Sequence, residues 1–198
     1  AFAKDVINVE ESVFIFLLLL FTVGIGMGSI LCNWLFKAEI TTKHVPLLAL
    51  LMVPFLYDIS SFGSPLAETA TSLFSFLMSF QGLRLMADIF ALSFVGGLFI
   101  VPLYAFVQTH VLPSHRSQVI AFNNVINAGF MVFASAASFC LLSLTVSIPM
   151  LLFITTLGQG VVVLYMIRIL PDPVLRNFLY GILRFVFRLE VWGLENYE

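Results

Sequence analysis

The side chains able to do chemistry in this sequence are mostly amides and hydroxyls, set within long apolar runs. Gln108, Asn123, Asn124 and Asn127 form the densest group, with Tyr104 four residues before Gln108. Asn123 and Asn127 are four apart and Asn124 and Asn127 three apart, so on a helix each pair shares a face. An amide in hydrocarbon must find a hydrogen-bond partner or line a wet cavity. Two readings follow: glue between helices, or a path that hydrogen-bonds a polar cargo. Ser135, Ser138, Thr155, Thr156 and Gln159 add further hydroxyl and amide groups of the same kind.

Other chemistries are poorly served. His44, His110 and His115 fall in polar loops without a Cys or carboxylate at metal-ligand spacing, so the sequence predicts surface histidines and no metal or other cofactor. No nucleophile, base and orienting group occur together, and there is no phosphate loop or catalytic carboxylate pair. Asp58 and Asp88 read as lying at the ends of spans, which argues against a relay of buried carboxylates. Cys32 and Cys140 sit inside apolar runs as small hydrophobes and imply no disulfide framework.

The elements that must position these groups follow from composition. Hydrophobic residues make up 61% of the chain, charged residues 10%, and the mean hydropathy is +1.07. A soluble domain is roughly half apolar and a quarter charged, so the expectation is an all-α membrane protein with about five transmembrane helices. The spans read as about 12–36, 45–60, 85–108, 118–142 and 149–169. The second is short, with Pro46 near its start and Pro54 inside. Residues 58–82 read as a long loop with an interfacial helix, mildly apolar from Leu73 to Phe80.

Small residues and prolines mark where helices meet or bend. Gly24 and Gly28 stand at GxxxG spacing, which permits close helix approach or opens a groove to substrate. Gly96 and Gly97 followed by Pro102 mark a span that bends easily, as a transporter gate or as a kinked packing helix. After the last span, Asp172-Pro173 reads as a helix start. The segment with Arg176, Arg184 and Arg188 among Phe and Leu reads as a helix lying on the membrane surface.

Charge sets the orientation. With five spans, Lys37, Lys43, Arg116, Arg168, Arg176, Arg184 and Arg188 fall on one side, and Lys4 and Arg84 on the other. The positive-inside rule makes the first side cytoplasmic, with the loop around His110 to Arg116 and the C-terminus on it.

Several stretches resemble the lysophospholipid transporter branch of the major facilitator superfamily. These are Thr22-x-Gly-Ile-Gly-x-Gly-Ser29, Val45-Pro-Leu47, the run Gly96 to Ala105, and His115-Arg-Ser-x-Val-Ile-Ala-x-Asn-Asn-x-x-Asn-Ala128. The resemblance covers about Ser12 to Arg168 and implies helices 8–12 of a twelve-helix transporter. The stretch Leu170 to Asn196 resembles the junction at which such transporters run into a glycerophospholipid acyltransferase domain. Residues 1–170 are then the C-terminal transporter half, 171–190 an interfacial linker helix, and 191–198 the start of a further domain.

The resemblance implies a bacterial inner-membrane protein that moves lysophospholipid to the inner leaflet by alternating access, coupled to re-acylation. Its partners are membrane lipids, the lysophospholipid, a missing N-terminal half and a downstream acyltransferase domain. The catalytic residues of such an enzyme would lie beyond Glu198. Tyr104, Gln108, Asn123, Asn124 and Asn127 are the candidates for the substrate path or gate. Gly24, Gly28, Gly96, Gly97 and Pro102 serve bending and close packing, and Lys37, Lys43 and Arg116 mark cytoplasmic loops. Two other readings stay open: a membrane platform for a phospholipid-synthesis acyltransferase, and a small-molecule exporter on the same scaffold.

Overall fold

A computed structural model describes residues 11–35, 44–62 and 73–169. Six helices carry them: α1 Glu11–Leu35, α2 Val45–Ser61, α3 Leu73–Met78, α4 Phe80–His110, α5 Arg116–Ser143 and α6 Ile148–Ile169. The described residues contain no strand. Helices α1, α4, α5 and α6 are long and apolar enough to cross a membrane. The chain is an all-α, multi-pass membrane protein. Helix α2 has 17 residues, about 25 Å at 1.5 Å each, against a hydrocarbon core of about 30 Å.

Side-chain neighbours fix the directions. Val13 packs with Leu85, and Cys32 lies 3.8 Å from the Leu98 carbonyl, so α1 and α4 run parallel. Ile59 joins the Val13–Leu85 cluster while Leu48 joins Cys32 and Leu98, so α2 runs antiparallel to both and packs on α4. The Gln159 amide donates to the Ala49 carbonyl at 3.3 Å, and Tyr57 meets Phe153, so α6 is antiparallel to α2. With α5 returning from α4, five helices alternate in direction. Arg116 and Arg168 come to one end and Arg84 to the other, as the charge pattern requires. Lys4, Lys37, Lys43 and everything expected of residues 170–198 lie outside the described residues.

Lipid is as apolar as leucine, so burying apolar surface does not drive helices together; close packing does. The α1–α4 seam shows how. A Cβ at Gly24 would strike the Ser93 side chain, one at Gly28 the Phe94 carbonyl, and one at Gly97 the Ile25 carbonyl. The two backbones touch there, and close helix contact is the role of the Gly24–Gly28 pair. A Cβ at Gly26 would meet nothing within 4 Å.

Three expectations need correction. The helix expected within residues 58–82 is α3, only six residues long, and Phe80 to Gly82 already belong to α4. The Ser79 hydroxyl caps α4 by accepting from the Gly82 amide at 3.0 Å, which starts the helix before Leu85. Asp88 consequently sits two turns inside α4, and it is only 8% exposed rather than at a span end. The loop between α4 and α5 is also shorter than expected, because Thr109 and His110 complete α4 and Arg116 opens α5.

Candidate functional site: the α4–α5 crevice

Helices α4 and α5 form a hairpin across residues 111–115, and the antiparallel register sets Tyr104 opposite the amides of α5. Both the Asn123 and the Asn127 side-chain amides donate to the Tyr104 hydroxyl oxygen at 3.4 Å. At that length the bonds are weak, against an N–H···O mode of about 2.9–3.0 Å. Three of the five expected path residues are thereby brought together. Gln108 and Asn124 are exposed and lie outside this cluster.

The amides are not sealed into a core. No residue of α5 is buried, and Phe122, Phe130, Phe133 and Phe139 are 65–74% exposed. Asn123 is half-buried and Asn127 exposed. One phenol oxygen receiving two donors leaves both amide carbonyl oxygens as acceptors at the crevice surface. Further along α5, a shallow and wide-open apolar depression is lined by Ile126, Gly129, Phe130 and Phe133, all of them residues of α5 itself. Amide dipoles at one end and aromatic rings at the other make an amphipathic surface.

The remaining expected positions have distinct uses. Helix α4 continues unbroken through Gly96, Gly97 and Pro102; Gly97 faces α1, whereas a Cβ at Gly96 would meet only the Met52 methyl at 3.4 Å. Arg116 opens α5, where the helix dipole disfavours a cation, so helix stability does not explain its place. His110 stacks on Phe106 with centroids 3.8 Å apart, and His115 pairs with Gln118 at 3.1 Å. Among the described residues no group of three His, Cys, Asp or Glu could hold a metal ion.

Sequence reasoning missed one polar constellation. Arg84 of α4 grips both carboxylate oxygens of Asp58 on α2, with Nε donating to Oδ2 at 2.7 Å and the second nitrogen to Oδ1. The guanidinium also lies 5.5 Å from the Phe62 ring centroid, within cation–π range. Asp88, only 8% exposed and with its Oδ2 unpartnered, lies one helical turn beyond Arg84. The i, i+4 spacing of Arg84 and Asp88 was the available signal; reading the helix from Leu85 hid it.

No family model matches the chain, and neither does any curated protein or solved structure.

Proposed function

We propose that the chain is the C-terminal half of a lysophospholipid transporter of the major facilitator type, and that the α4–α5 crevice is part of its lipid path. The observation that carries the reading is the convergence of Asn123 and Asn127 on Tyr104 beside a shallow aromatic depression. A lysophospholipid has one acyl chain and a polar headgroup. The depression suits the chain, and the amide carbonyls and phenol suit hydrogen bonding to the headgroup without burying a full charge. The depression lies on α5, the helix with no buried residue, so the partner half of the transporter would close the path over it.

The membrane is the bacterial inner membrane, and the end bearing Arg116 and Arg168 is cytoplasmic by the positive-inside rule. Two six-helix halves rocking about the path would carry lysophospholipid to the inner leaflet, where a downstream acyltransferase domain re-acylates it.

The test uses full-length protein in vesicles and a labelled lysophospholipid. Replacing Asn123 and Asn127 together by Ala should lower the flipping rate roughly tenfold, equivalent to about 1.4 kcal/mol, with folding retained. Unchanged flipping in the folded double variant would reduce these amides to helix glue.

A further inference from the structure

A phenol carries one hydrogen to donate and two lone pairs to accept with, and a side-chain amide adds two donors and a carbonyl oxygen. The Asn123 and Asn127 amides each donate to the Tyr104 oxygen, which fills its acceptor capacity. Neither amide uses the phenol's own hydrogen, and no described residue accepts it. The two amide carbonyl oxygens likewise have no hydrogen-bond partner among the described residues. The cluster therefore presents one donor flanked by two acceptors. A phosphate oxygen only accepts, and the carbonyl oxygens would repel it. An ammonium only donates, and would leave the phenol hydrogen idle. A hydroxyl group does both, accepting from Tyr104 and donating to Asn123 or Asn127.

Depth selects which hydroxyl. Helix α4 has 31 residues, about 46 Å at 1.5 Å each, close to the full bilayer thickness of about 40–45 Å. Tyr104 lies six residues before its end at His110, about 9 Å, and Asn123 seven residues after the start of α5 at Arg116, about 10 Å. The headgroup layer takes up about 5–8 Å on each side of the hydrocarbon core. The cluster thus lies near the boundary between headgroup and hydrocarbon, the level of a lipid's glycerol. The apolar depression from Ile126 to Phe133 continues from there towards the middle of the bilayer. A lipid with its glycerol at Tyr104 would lay its acyl chain along that depression and point its phosphate to the end that carries Arg116.

We propose that Tyr104, Asn123 and Asn127 read the free glycerol hydroxyl of a lysophospholipid, Tyr104 donating to its oxygen and one of the amide carbonyls accepting its hydrogen. The assignment rests on the lysophospholipid reading of the crevice and makes these three residues its specificity determinants. In a diacylphospholipid the same oxygen is esterified, so the hydrogen is gone and a second acyl chain takes its place. The hydroxyl is the feature that separates the cargo from the bulk lipid around it. Because the amides lie at an open surface, water can replace a missing partner, and discrimination should be about tenfold, far below that of a sealed site.

The test compares two labelled lipids in vesicles holding the full-length protein: a lysophospholipid and its deoxy analogue, with hydrogen in place of the glycerol hydroxyl. The unaltered protein should flip the hydroxyl lipid about tenfold faster. In Tyr104→Phe, which removes the donor, that ratio should fall to near one. Asn127→Ala, a change at an exposed position that puts folding at less risk, should lower the ratio as well. Equal rates for the two lipids in the unaltered protein would overturn the assignment and leave the lysophospholipid reading standing. A variant that slows both lipids alike and keeps the ratio would overturn it too, because Tyr104 and Asn127 would then act on structure alone. Flipping of neither lipid by the unaltered protein would overturn the lysophospholipid reading, and this assignment with it.

Discussion

The two sides of α4 are built to opposite rules. Towards α1 the helix comes into backbone contact at its middle, where Gly24, Gly28 and Gly97 present no side chain to hold the two apart. Towards α5 it offers a phenol to two amides through long hydrogen bonds, beside a helix none of whose residues is buried. In lipid, tight packing supplies the stability that water would otherwise supply through burial. The seam therefore holds the bundle together, and the crevice is left available to a ligand or to further helices.

Substitutions that treat the two sides alike should show the difference, measured by thermal unfolding of detergent-solubilised protein. The largest contrast pairs two phenylalanines. Phe76 is fully buried under the Val13–Leu85 cluster, whereas Phe130 faces outward from α5. Phe76→Ala leaves a cavity and should cost about 2–3 kcal/mol, the lipid reference removing much of the usual transfer term. Phe130→Ala should leave unfolding nearly unchanged; equal costs would mean that α5 is packed after all.

Next comes the seam itself. Gly28→Ala drives a methyl against the Phe94 carbonyl and should cost about 2 kcal/mol. Gly26→Ala, two residues away and facing open space, should be neutral or stabilising by up to about 1 kcal/mol. The smallest effect is expected at the turn that brings α5 into α6. Val146 N–H bonds the Leu141 carbonyl and Thr145 N–H that of Leu142, a Schellman closure with Thr145 at φ 64° where glycine is preferred. Thr145→Gly should raise stability by about 1 kcal/mol without touching either side of α4.

Much of this architecture was legible in the sequence because hydrophobic length alone sets it. The run expected at 118–142 is α5 at Arg116–Ser143, and the run opened by Pro149 is α6. The spacing of Gly24 and Gly28 announced a close contact, yet it could not say that Gly97 would complete it and Gly26 would not. That depends on which faces of α1 and α4 meet. The meeting of Tyr104 with Asn123 and Asn127 was likewise out of reach, since it needs the register of the hairpin. Asp88 was misplaced because hydropathy locates a span where polar residues stop. Helix α4 instead begins where Ser79 can cap it, carrying Arg84 and Asp88 inside.

The most direct test of the account is to photo-cross-link a lysophospholipid to the full-length protein in vesicles and map the labelled peptides. The account predicts that adducts from a probe in the acyl chain concentrate on Ile126 to Phe133, and that those from a headgroup probe lie near Tyr104 and Asn123. Adducts spread evenly over the lipid-facing sides of α1 and α6, with none enriched in the α4–α5 crevice, would contradict it.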